Sequence, residues 1–173
     1  MSKAPTMAPD DPPVEHVVEL LRERLYGAIS CLATLAVLAR YTTENTSAWV
    51  RVLDVLVAAG GLWAASLLAA FVARLSVEGR APRGAAALSM VRSSGQILQA
   101  AMVPIVILII GAVGWLDTPT AVWLAMWFLV IEMALIVFLA VRRTALPWWQ
   151  QALAVLVLTG MGAAVVAIKM IAH

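Results

Sequence analysis

The chain has 173 residues, of which 63% are hydrophobic and only 13% are charged. A soluble domain of this size could not cover so much apolar surface with polar side chains, so the composition excludes a water-soluble globular protein. The net charge of +2 gives no reason to expect a nucleic-acid partner, and the single cysteine, Cys31, excludes a disulfide within the chain. We therefore expect an integral membrane protein whose main partner is the lipid bilayer.

The N-terminal part of the chain predicts a short tail followed by a single membrane domain. Residues 1–12 are rich in proline and acid, which predicts a disordered tail before one helical domain over 13–173. This tail also lacks the features of a secretory signal. The first apolar stretch predicts a span at about 24–40, and the second predicts a span at about 49–75, after residues that can cap a helix.

The rest of the chain predicts three further spans. The segment 79–94 carries three arginines and an apolar helical face, which predicts a short interfacial helix on the cytoplasmic side. Beyond it the apolar stretches predict spans at about 96–115, with a kink at Pro104, and at about 119–142 and 147–169. The predicted fold class is therefore all-α, a polytopic membrane protein with a bundle of five transmembrane helices.

The distribution of basic residues predicts the orientation of this bundle. With the N-terminus in the cytoplasm, Arg40, Arg51 and Lys169 lie outside and every other lysine and arginine lies inside. Cytoplasmic loops are normally enriched in basic residues. We expect a cytoplasmic N-terminus and an external C-terminus, in the cytoplasmic membrane of a bacterium.

Glu132 is the residue most informative about function, because about ten residues, or roughly 15 Å of helix, separate it from Arg143 at the end of its predicted span. An ionised carboxylate at that depth costs about 2.5 kcal/mol or more, so it should face the bundle interior, a water-filled path or a partner. The sequence leaves two interpretations open. Glu132 is either a cation or proton site, or a structural acid bonded between helices or to another subunit.

Other polar residues of the spans are secondary candidates. Asp54 and Lys169 fall at a similar depth near the outer face, where we expect a structural ion pair more often than a functional one, with Arg51 competing for Asp54. Ser30 and Thr34 could line a pathway, although hydroxyls in membrane helices more often serve packing. The sequence identifies neither a metal nor a cofactor.

The sequence shows no phosphate-binding, nucleophile or zinc-hydrolase motif, so we do not expect an enzyme. It also shows no internal repeat, and a pathway would then need a homo-oligomer; the small residues Gly61, Ala65, Ala69 and Ala73 predict close helix contacts within or between subunits. The leading hypothesis is an oligomeric channel or transporter-like protein for a small cation or proton. The alternative is a non-transporting accessory subunit or assembly factor.

One local motif resembles a known family. The residues Arg-Leu-Tyr-Gly-Ala-Ile-Ser over 24–30 resemble the beginning of the first span in the vacuolar iron transporter family, whose members have five spans and a cytoplasmic N-terminus. The resemblance implies the same layout. Ser30 and Cys31 stand in place of that family's Asp-Gly pair, and the segment 79–94 stands in place of its domain rich in glutamate and methionine. Both departures remove metal ligands, so iron transport is not implied.

Overall fold

Four long helices account for most of the chain in the structure, a computed structural model that describes residues 14–142, 147–153, 155–157, 160 and 164. The helices are α1 (Val14–Arg40), α2 (Ala48–Glu78), α3 (Ala85–Ala112) and α4 (Thr118–Arg142). Residues 148–153 and 155–157 are helical as well, and no strand occurs in the described ranges. The all-α class is confirmed. The predicted tail over 1–12 lies outside the described residues.

The separate interfacial helix predicted over 79–94 is wrong. Residues 85–94 form the first part of α3, which continues without a break through Gly95 and Pro104. Met90, Ser93 and Ser94 are buried, so the end of this segment packs into the bundle. The apolar residues that gave the predicted face, Ala85, Leu88 and Val91, are exposed, so α3 packs through a different face.

α3 contacts α1, α2 and α4. Gly27 and Gly111 mark two close approaches. A Cβ at Gly27 would lie 2.8 Å from the Cα of Ile97, and one at Gly111 would lie 2.8 Å from the Cβ of Ala121. Small residues at such crossings let helices come close enough for van der Waals attraction to hold them together. α1 is therefore seated directly on α3.

Three of the described helices are long and apolar enough to cross a membrane, namely the segments Ala48–Val77, Ala85–Ala112 and Thr118–Ala140. Only 11% of the 18-residue apolar stretch that identifies α2 as a span is buried inside the protein, so most of its apolar side chains face outward. In water such a surface would be unfavourable, whereas lipid is its natural environment. These helices indicate a membrane location. α1 differs from them because Glu19, Arg22, Glu23 and Arg24 interrupt its apolar sequence.

Candidate functional site

Glu132 forms an ion pair with Arg24 of α1. Nε and Nη2 of Arg24 both donate to Oε1 of Glu132, at 3.1 and 2.7 Å. The side chain of Glu132 is 10% exposed and that of Arg24 is 38% exposed. Glu132 lies ten residues before the end of α4, which is about 15 Å along the axis. Two charge-assisted hydrogen bonds thus compensate the carboxylate inside the apolar part of the bundle.

A second polar cluster lies where α1 meets α2 and α3. Oε1 of Glu23 accepts a hydrogen bond from Nη2 of Arg22 at 2.9 Å, and Oε2 accepts one from the hydroxyl of Ser66, also at 2.9 Å. The hydroxyl oxygens of Ser66 and Ser94 are 3.3 Å apart. Since Ser66 already donates to Glu23, Ser94 is the donor in this second bond. The result is a chain of hydroxyls that ends on a carboxylate.

Glu23 lies deep in the bundle. Its side chain is only 12% exposed, whereas that of its neighbour Arg22 is 71% exposed. Ser66 precedes Val77, the last residue of the apolar α2 segment, by eleven positions, or about 16 Å along the helix. The hydrogen bond to Ser66 therefore holds the Glu23 carboxylate well inside the zone that the apolar surfaces define.

Glu23 also borders a cavity of about 510 Å³ between α1, α2 and α3, which we call the Glu23 cavity. Its polar lining comprises Glu19, Arg22, Glu23, Tyr26, Ser66, Ser93 and Ser94, and its apolar lining includes Ala65, Ala69 and Ala73. Short alanine side chains on α2 leave this space open. Gly61, Ala65, Ala69 and Ala73 are exposed, so the close helix contact predicted for them is not present among the described helices. A contact between subunits at this face remains a prediction.

A smaller cavity of about 220 Å³ adjoins the first and contains two of the predicted site residues. Ser30 and Thr34 both line it, together with Cys31, and Tyr26 and Leu62 border both cavities. The hydroxyl of Thr34 donates to the carbonyl oxygen of Ser30 at 2.9 Å, so its oxygen remains available as an acceptor. We call this space the Thr34 cavity. The structure brings Ser30 and Thr34 together, on the same side of α1 as Glu23.

Asp54 lies apart from these cavities. Its Oδ2 accepts a hydrogen bond from Nη1 of Arg51 at 2.8 Å, one helical turn away on α2. A second nitrogen of Arg51 donates to the carbonyl oxygen of Tyr41 at 3.2 Å, which ties α2 to the loop before it. The competing partner expected for Asp54 is therefore the one observed. Lys169, the other partner considered from the sequence, lies outside the described residues.

The cavities offer hard oxygen donors. Glu23 and Glu19 contribute carboxylates, and the serines and Thr34 contribute hydroxyls, which can bind or relay a proton and can coordinate a small cation. Among the described residues no group of three or more His, Cys, Asp or Glu side chains could hold a metal ion. The oxygen donors present suit a proton or a partly hydrated monovalent cation.

The sequence interpretation missed both Arg24 as the partner of Glu132 and Glu23 as a buried acid. It began the first span at about Arg24 and so left Glu23 in a charged segment before the membrane span. The usable signal was the spacing of Glu19 and Glu23, which puts two acids on one face of a helix. A serine near the middle of an otherwise apolar span, Ser66, was the second signal.

Comparisons of the chain with protein-family models, with curated proteins and with solved structures gave no match. The resemblance to the vacuolar iron transporter family therefore stays a prediction, and function has to be argued from the site itself.

Proposed function

We propose that the protein is an integral membrane protein with five spans and a cytoplasmic N-terminus, in which α1 and the helix after Pro147 cross the bilayer together with α2, α3 and α4. The ion pair between Arg24 and Glu132 supports this arrangement, because it neutralises the charge that α1 carries at the level of the α4 interior. Exposed tryptophans also support it. Trp49 and Trp115 lie at one end of the bundle, and Trp148 follows the end of α4 at the other.

We further propose that this protein passes a proton, or a small monovalent cation, along the Glu23 and Thr34 cavities. The observation that carries the proposal is the Glu23 carboxylate, which is nearly buried, bonded to the hydroxyl of Ser66 and in contact with an open cavity. Intramembrane acids that border a cavity are the usual carriers of protons and cations. Along this path Glu19 supplies a carboxylate nearer the N-terminal end of α1. Ser30 and Thr34 supply hydroxyl oxygens in the Thr34 cavity, farther along the helix.

In this mechanism Glu132 is a positioning residue. Its pair with Arg24 holds α1 against α4, and Glu23, the residue directly before Arg24, then faces α2 and α3. The proposal keeps an intramembrane glutamate as the essential acid but moves the ion-binding role from Glu132 to Glu23. We also expect a homo-oligomer, since the exposed small residues of α2 leave the cavities uncovered on one side.

The test is proton flux into proteoliposomes that contain a trapped pH-sensitive dye, driven by a potassium gradient with valinomycin. Wild-type protein should accelerate acidification over protein-free vesicles, and Glu23→Gln should return the rate to that background because the replacement cannot release a proton. Glu44→Gln makes the same chemical change in the exposed loop before α2 and should keep the wild-type rate.

Two results would contradict the proposal. One is a Glu23→Gln protein that is folded, has the wild-type oligomeric mass and still passes protons, sodium and potassium at the wild-type rate. The other is a wild-type protein that gives no flux of any of these ions above protein-free vesicles.

A second candidate function is that of a non-transporting accessory subunit. The observation that favours it is that Glu132 is already neutralised by Arg24 within the chain, so its charge needs no transported cation. Absence of flux, together with co-purification of one stoichiometric membrane partner, would support this function in place of transport.

A further inference from the structure

The loop between α2 and α3 has a restricted shape. It is bounded by Gly79 with φ of 65° and Gly84 with φ of 58°, conformations that residues with a Cβ rarely adopt. The N–H of Gly79 donates to the carbonyl oxygen of Leu75 at 3.0 Å, which ends α2, and Pro82 fixes one more backbone angle between the glycines. The loop therefore presents Arg80 and Arg83 from a constrained backbone.

Arg80 and Arg83 line a cavity of about 360 Å³, together with Ala81, Pro82 and Ala86. Both arginines are exposed, and neither has a carboxylate partner among the described side chains. The sequence contains no acidic residue between Glu78 and Asp117. The lining therefore combines two guanidinium groups with small apolar side chains, and guanidinium groups match the geometry of phosphate oxygens.

We propose that this cavity binds the phosphate group of an anionic phospholipid. Arg80 lies three positions after Val77, the last residue of the apolar α2 segment, so the cavity lies about 5 Å beyond the hydrocarbon-facing helix, at headgroup depth. Leu75 and Leu88, on the two helices that flank the loop, are exposed and apolar, as lipid-facing side chains would be. The phosphate of a phospholipid can therefore contact the two guanidinium groups while its acyl chains contact Leu75 and Leu88. Free phosphate can contact only the guanidinium groups.

The inference is independent of ion transport and is tested by native mass spectrometry of the full chain in detergent, titrated with phosphatidylglycerol. Arg80→Gln/Arg83→Gln should weaken binding of the first lipid by roughly 30-fold, since each basic side chain near an anionic headgroup contributes roughly a fivefold factor. Arg92→Gln/Arg142→Gln removes the same charge from two exposed arginines that do not line the cavity. That control should keep wild-type affinity.

Two further measurements use wild-type protein alone, so they do not depend on how the variants fold. Phosphatidylglycerol should bind more tightly than zwitterionic phosphatidylcholine, and its affinity should fall as salt is added. Inorganic phosphate should not displace it at equal concentration.

Equal loss of affinity in the two double variants would overturn the proposal, because it would show attraction to net charge and no site. Equal binding of phosphatidylglycerol and phosphatidylcholine by the wild type would also overturn it. Displacement by inorganic phosphate would overturn the assignment to a lipid.

Discussion

Separating Arg24 from Glu132 should destabilise the bundle in a way that depends on both residues. Arg24→Gln leaves Glu132, which is 10% exposed, without its cation. An unpaired charge near the bilayer centre costs about 2.5–3.5 kcal/mol on insertion scales, and a broken buried pair costs about 3–5 kcal/mol. Because Arg24 is 38% exposed, we expect the lower end of these ranges, about 2.5–3 kcal/mol of unfolding free energy.

The partner variant, Glu132→Gln, should cost less, about 1–2 kcal/mol, since the long side chain of Arg24 can reach toward a more polar level. The double variant should then be less destabilised than the sum of the two single variants, by about 1–2 kcal/mol. The assay is reversible unfolding by dodecyl sulfate in mixed micelles, followed by far-ultraviolet circular dichroism.

The matched control pairs two exposed charges that do not contact each other, Glu44 and Arg142. Glu44→Gln and Arg142→Gln should each change the free energy of unfolding by less than about 0.5 kcal/mol. In the double variant the two changes should add. If the Arg24 and Glu132 variants also add within about 0.5 kcal/mol, the ion pair does not contribute to stability and the reasoning is refuted.

Two other predictions concern helix contacts and capping. Gly27→Ala should lower the thermal midpoint measured by circular dichroism, because the new Cβ would lie 2.8 Å from backbone of α3, whereas Gly61→Ala meets open space and should not lower it. At the start of α4, the N–H of Thr120 donates to Asp117 at 2.9 Å and lowers the pKa of that carboxyl. The Asp117 carboxylate should therefore make its full contribution to the free energy of unfolding above its pKa in the unfolded chain, about 3.9. That contribution should disappear as the pH falls through the lower pKa of the folded protein. The midpoint difference between wild type and Asp117→Ala should follow that course; a constant difference at all pH values would exclude charge as its cause.

The sequence predicted the apolar helices better than the charged ones. The predicted spans 49–75 and 119–142 agree with α2 and α4 to within three residues, because apolar length sets both. The predicted first span begins at about Arg24, ten residues after the start of α1, because the sequence interpretation used the charges to mark a membrane boundary. A helix continues past such charges when backbone hydrogen bonds and neighbouring helices support it.

The site was predicted only in part, for a geometric reason. Apolar segments indicate how deep Glu132 lies, but they do not indicate how each helix is rotated about its axis. Arg24 and Glu132 are 108 residues apart in the sequence. The face that α1 turns toward α4 depends on its contacts with all three neighbouring helices, which the sequence does not show. Ser30 and Thr34 were identified because they are hydroxyl-bearing residues within the apolar stretch 24–40.

The central claim is that water reaches the Glu23 cavity, and cysteine accessibility tests it most directly. In a Cys31→Ser background, Ala65→Cys places a thiol on the cavity wall, whereas Ala64→Cys places one on the adjacent exposed position that does not line the cavity. In proteoliposomes a charged, membrane-impermeant thiosulfonate should modify Ala65→Cys and leave Ala64→Cys intact, since lipid excludes the reagent. Protection of both thiols, or equal modification of both, would contradict a water-filled path to Glu23.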